Sequence, residues 1–188
     1  GLSAAGAALE WVASLTGRSR DDLLAGAADV APGAGGLFAF PWLQGARAPW
    51  WHPDARAVVA GVTSAHGPAQ LARAVLEGIA LDAARSVELV APSATGVALA
   101  GAGARDPTWV AIVAALTGRP VARRRLDDAA SAGARLLAAT PDASADDITA
   151  DTVNPIVEVA APDLSLVEAY RPVRAASDVL AARLLDPR

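Results

Sequence analysis

The chain has 188 residues and a formal net charge of −4, with 53% hydrophobic and 19% charged residues. That is enough apolar material for one domain with a sizeable core, and it excludes an intrinsically disordered chain. The acidic balance argues against non-specific nucleic-acid binding and against an anionic membrane surface, and the absence of Cys removes disulfides, thiolate zinc sites and thiol catalysis.

Ser3 to Thr16 reads as a helix with Ser3 as N-cap and a broad apolar face of Ala4, Ala8, Leu9, Trp11, Val12 and Leu15. Gly17 ends it. Arg20 to Ala28 is a second, short helix, with Asp21 and Asp22 suited to its first turn. Residues 32–36, Pro-Gly-Ala-Gly-Gly, form a loop. Leu37 to Trp42 is an apolar strand, followed by a loop crowded with Pro and aromatic residues, including Trp50 and Trp51. Two adjacent Trp either touch a partner or plug a gap between domains, and the plug is the expectation. Ala57 to Val62 is another strand.

Pro68 opens a long helix running to about Val90, with Leu71, Ala74, Val75, Gly78, Ile79, Leu81 and Ala83 facing inward. Glu77 lies on or beside that stripe, either as a buried, paired carboxylate or, the expectation, solvated at the stripe's edge. Val97 to Ala100 is a buried strand, Gly101-Ala102-Gly103-Ala104 a small-residue turn, and Asp106 to Thr117 a helix closed by Gly118. Arg119 to Leu126 is extended, with Arg123 to Arg125 expected on a solvated edge strand. Asp127 or Asp128 caps a helix over Ala129 to Ala139, and Pro141 to Asp151 is an acidic surface loop. Val153 to Ala161 is strand-like, and a last helix from Leu164 to Leu185 should kink or split at Pro172. Alternating strands and helices indicate an α/β domain with a mostly parallel or mixed sheet.

A strand, a small-residue bend and a helix start make a candidate nucleotide-binding element, because small side chains let a ligand approach main chain and a helix N-terminus offers unpaired N–H groups. The competing reading is a tight packing turn. It is no Walker loop, since the chain has no Lys. His52 and His66 lack zinc-ligand spacing, and nothing around Ser64 forms a nucleophile elbow.

Three stretches resemble the C-terminal domain of the FGGY carbohydrate kinases, in the xylulokinase-like branch. The run Phe40 to Leu43 and Gly45 to Arg56 is similar to "PYLxGERxPxWDPxARG". Ala57 to Val62, with Gln70-Leu71 and Ala74 to Glu77, matches the family's second signature. Leu99 to Trp109 resembles "LTGGGARSxxW", the adenosine-binding motif. Ala129 to Ala134 and Ala5 to Trp11 are similar to the "AALGAA" and "GAALEW" helices.

The resemblance implies the C-terminal lobe of an actin-like ATPase (ribonuclease H-like) α/β fold, a mixed sheet flanked by helices, with the lobe's first strands lying ahead of Gly1. The chain, 1–188, would be the nucleotide-binding domain without its N-terminal sugar-binding domain. It implies transfer of the ATP γ-phosphate, with Mg2+, to a sugar or polyol hydroxyl, xylulose-like above others. The catalytic base and the Gly-Thr phosphate turn would lie before Gly1, so the isolated chain is expected to be inactive. The nucleotide contacts carried over are Gly6, Glu10, Gly101, Ala102, Gly103 and Asp106. Partners would be ATP and, through the other lobe, the sugar; nucleic acid and membrane are not expected, a cytoplasmic location is, and a homodimer is compatible. Ala46, His52, Ala57, Ala102 and Asp106 depart from the family pattern, and a non-catalytic binding or regulatory relative is the alternative reading.

Overall fold

The computed structural model describes residues 5–125, 128–140 and 153–186. In order, helix α1 is Ala5–Thr16 and α2 is Arg20–Ala28; a 3-10 turn, Ala34–Gly36, leads to strand β1, Phe38–Phe40. Strand β2 is Val58–Ala60, helix α3 is Pro68–Val90 and strand β3 is Val97–Leu99. A second 3-10 turn, Ala102–Arg105, precedes α4, Pro107–Thr117; then come β4, Val121–Arg124, α5, Ala129–Ala139, β5, Ile156–Ala160, and α6, Leu164–Leu185. The proposed cap Ser3, the alternative cap Asp127 and the expected loop from Pro141 to Asp151 lie outside the described residues.

The strands form two sheets rather than one. Strands β1 and β2 are an antiparallel pair, with Phe38 opposite Ala60 and Phe40 opposite Val58. The order of the other sheet is β3-β4-β5, with β3 parallel and β5 antiparallel to β4, so the sheet is mixed as expected. This makes β4 its central strand, which corrects the edge-strand reading for Arg123 and Arg124; Arg125 follows the strand and is exposed. Arg123 pairs with Glu158 across β5 at 3.0 Å, and the Arg124 guanidinium donates to the Asn154 carbonyl at 2.7 Å. A sequence written in strand-length runs carries no mark of which strands will flank a given one.

Helix α3 runs through the middle of the core. Pro68 stands in its first turn, where an N–H would have no helical partner, and the Gln70 side chain accepts the Gly67 N–H at 3.0 Å. Residues from Ala72 to Arg85 are buried on nearly all sides, so the inward stripe read from the sequence was too narrow. Helices α1 (Ala8, Leu9, Val12), α2 (Leu23, Ala27) and α4 (Ile112 to Leu116) pack around it. Gly78 allows β1 to cross α3 closely: a Cβ there would stand 2.1 Å from the Ala39 carbonyl oxygen.

Two polar nodes on α3 tie this core together. Glu77 is 3% exposed, not at a solvated edge. Its carboxylate accepts from Arg73 Nε at 2.8 Å, from the Tyr170 hydroxyl at 2.9 Å and from the Gly33 amide at 3.0 Å. Burial pushes the Glu77 carboxyl up from its ordinary value, while Arg73, Tyr170 and Gly33 pull it back. The reading failed because an acidic residue enters a core only with donors, and those come from residues remote in sequence.

One and a half turns on, Asp82 accepts both indole N–H groups, Trp42 at 3.0 Å and Trp50 at 2.8 Å, and the Arg85 guanidinium at 2.9 Å. Desolvation raises its carboxyl against those three donors. Arg85 also donates to Ser177 and Asp178 of α6 and lies 5.2 Å from the Trp50 ring centre. Trp50 is thus fastened within this domain, whereas Trp51 is 72% exposed.

Helix α6 is not split at Pro172. The missing N–H costs one helical hydrogen bond. Tyr170, Ser177 and Ala181 share a face and are all buried, so the helix is fastened on both sides of the proline. Among the described residues no helix is long and apolar enough to cross a membrane.

Candidate nucleotide site

Strand β3 ends at Leu99, and Gly101 turns the chain with φ 95°, a conformation that side chains with a Cβ rarely adopt. The bend then tightens into the 3-10 turn: the Ala104 amide donates to Gly101 O at 3.0 Å and the Asp106 amide to Gly103 O at 3.2 Å. Ala104 is buried and seats the turn, while Ala102 is exposed. A Cβ on Gly103 would meet nothing within 4 Å, so that side of the bend is open. Trp109 does not occupy it; it packs against the main core cluster.

Asp106 is the N-cap of α4. Its carboxylate accepts the Trp109 amide at 2.7 Å, and Pro107 contributes no N–H. The first turn of α4 therefore has fewer donors for an anion than the sequence suggested, and an acidic cap repels phosphate. Such a helix start suits the neutral end of a nucleotide better than its phosphates. Beside it, Val30, Pro32, Pro107, Thr108 and Ile112 line an open cleft of about 470 Å³.

Gly6 and Glu10 lie on the exposed side of α1, opposite Ala8, Leu9 and Val12. A Cβ on Gly6 would also meet nothing within 4 Å, and Glu10 approaches only Arg20, at 4.0 Å, among the described residues. The structure thus holds the six residues in two groups, one on α1 and one at the start of α4. Both helices rest on α3, and among the described residues no hydrogen bond joins the two groups. No set of three or more His, Asp or Glu side chains converges to hold a metal among the described residues.

Several departures have local explanations. Ala46 is 2% exposed beneath Phe40 and Trp42, where a carboxylate would be buried. Ala57 has no positive φ, so its position has no need of Gly. His52 leaves Nδ1 buried without a partner, and nothing in the structure explains that substitution. Sequence reasoning weighed a buried, paired Glu77 but favoured a solvated one, and it missed the Asp82 node. Arg73–Glu77 and Asp82–Arg85 stand at spacings that meet on a helix, a signal that was legible; Tyr170, Trp42 and Ser177 had none.

Residues 1–140 match the FGGY family of carbohydrate kinases, C-terminal domain. The chain belongs to this family. It is 36% identical over 181 residues to the xylulose kinase of Escherichia coli K12, covering 92% of this chain and 37% of that protein. With the glycerol kinase of Citrifermentans bemidjiense it shares 40% identity over 146 residues, 71% of this chain and 28% of that enzyme. The crystal structure of xylulose kinase from Rhodospirillum rubrum superposes with a TM-score of 0.80 at 27% identity, over 97% of this chain and 38% of that one. The FGGY chain described here therefore spans well under half the length of these relatives, and its α/β architecture is that of the actin-like ATPase lobe they share.

Proposed function

We propose that this chain is the nucleotide-binding C-terminal lobe of a carbohydrate kinase that phosphorylates a sugar or polyol, a xylulose-like ketose above others. The observation that carries the reading is the open bend after β3. Gly101 and Gly103 leave main chain accessible, and no side chain fills the space beside Gly103. Adenosine would lie against Gly101, Ala102 and Gly103, with Asp106 at its far side and Gly6 and Glu10 approaching from α1.

Asp106 supports this reading despite replacing a neutral residue. Its work here is capping α4, which Ser, Asn and Asp do about equally well. Bound ATP would supply the transferred phosphoryl group. The chain's own part is to orient the nucleotide, since phosphoryl transfer depends largely on positioning and electrostatics. Mg2+ would travel with the phosphates, because the described residues offer no cage for it. The base and the sugar contacts would come from a domain outside this sequence.

Calorimetric titration with ATP tests the site. Binding is expected in the wild-type chain and lost in Ala102→Trp, with circular dichroism confirming that the variant is folded. Undiminished binding by the variant removes the site. Turnover of ATP and xylulose by the 188-residue chain alone would refute the division of labour.

A further inference from the structure

The cleft beside Asp106 has one wall held from behind. Residues 28–32 form that wall, Leu166 of α6 stands next to it, and Pro107, Thr108 and Ile112 of α4 line the cleft with them. Both ends of the segment 28–32 are tied to α3. Ahead of it, the Ala27 carbonyl accepts Arg73 Nη1 at 3.0 Å; after it, the Gly33 amide donates to both oxygens of Glu77, at 3.0 and 3.2 Å. Tyr170 follows Leu166 by one turn of α6 and joins the same pair through its hydroxyl. The chain just past the wall also shows that it is held. Ala34 is fully buried with φ 48°, and a non-Gly residue stays in the left-handed region only where its surroundings fix it.

Core stability does not by itself call for such a node. A buried ion pair gives up so much hydration that apolar residues of the same volume often stabilise a fold as well or better. What hydrogen-bonded charges add is direction, since each donor and acceptor fixes one partner in one place. Here two of the partners are main-chain groups that bracket a cleft wall. The Arg73 guanidinium reaches Glu77, the Ala27 carbonyl and the Tyr170 hydroxyl at once, as a planar fork can and an ammonium cannot. Burial pushes the Tyr170 hydroxyl above its ordinary value, so it keeps its proton and donates to Glu77.

We propose that Arg73, Glu77 and Tyr170 are positioning residues for the nucleotide: their node fixes the segment 28–33 against α6 and so sets the width of the cleft that receives the base end of ATP. This rests on the nucleotide reading above, in which the neutral end of the ligand lies toward Asp106, where the cleft begins at Pro107. A wall that is already fixed loses little freedom when a ligand arrives, so loosening it weakens binding without removing a contact. Glu77 acts only through the wall, since it is buried behind it.

The test pairs calorimetric titration with ATP and hydrogen exchange of the ligand-free chain over residues 28–34. Glu77→Gln turns an amide NH2 toward the Gly33 N–H, and Arg73→Lys keeps the charge but loses the fork. Each should raise the dissociation constant for ATP about tenfold and speed exchange over 28–34, with circular dichroism unchanged. Trp42→Phe is the control, because it takes one donor from buried Asp82 on the same helix and leaves the cleft walls alone. It should bind ATP, and exchange over 28–34, as the wild type does. Should Glu77→Gln fail to fold, Arg73→Lys, which leaves the carboxylate its cation, carries the test. Undiminished affinity in the folded variants overturns the proposal and leaves the nucleotide reading standing. So does a loss that Trp42→Phe matches, or exchange over 28–34 that stays at the wild-type rate. A wild-type chain that binds no ATP removes the nucleotide reading itself, and the proposal with it.

Discussion

The Tyr170 hydroxyl donates to Glu77 Oε1 at 2.9 Å across 93 positions of sequence, and accepts from Arg73 Nη2 at 2.7 Å. It is the link by which α6 closes the charged centre of α3. Tyr170→Phe keeps the ring's packing and removes both bonds, leaving a buried carboxylate one donor short and a guanidinium one acceptor short. Urea unfolding should show a loss of about 1–3 kcal/mol. A change within a few tenths would mean that water replaces the hydroxyl, and that the node is less enclosed than the geometry indicates.

Gly78 and Gly133 predict opposite outcomes for the same substitution. Gly78→Ala places a methyl 2.1 Å from backbone oxygen, and no side chain can yield to make room, so α3 must move off β1. The cost should reach about 1–3 kcal/mol or more. At Gly133, inside α5, the added Cβ meets nothing within 4 Å. Gly133→Ala should stabilise the chain by up to about 1 kcal/mol through helix propensity. Thermal melting of the pair reads both signs. Equal effects would contradict the close crossing of α3 and β1.

Glu88 and Arg174 make a two-toothed ion pair between α3 and α6, at 2.6 and 2.5 Å. The hydrogen bonds from Arg174 hold the Glu88 carboxyl below its ordinary value of 4.5. A carboxyl depressed in the folded state contributes stability above its unfolded pKa and loses it as pH falls through the folded one. Glu88→Gln should therefore be less stable than wild type near neutrality. Since Glu88 is half exposed, solvent screening keeps the difference under about 1 kcal/mol. The gap should close as pH falls below the ordinary value of 4.5 and on through the lower folded one. A difference that persists or grows on acidification, in urea titrations at both pH values, would rule out the pair as its source.

Much of the architecture was legible from local pattern. The spans of α2 and α3 follow from caps, Pro68 and apolar spacing, and Gly118 ends α4 in the left-handed conformation expected of it. The bend at Gly101 was legible too, because only small residues stand there. The loop holding Trp50 and Trp51 was visible as an oddity, but the different fates of its two indoles were not: one is bonded to Asp82 and the other stands in solvent.

The sequence by itself determined the elements, the family likeness and the candidate bend, because helix periodicity, capping and turn chemistry act over a few residues. Tertiary structure alone decided that Glu77 is buried, that β4 is central, and that α6 stays whole across Pro172. Each of these depends on a partner dozens of positions away, such as Tyr170 for Glu77 or Ile156–Ala160 for β4. A buried charge is stable only where remote donors converge on it, and no window of neighbouring residues records that convergence.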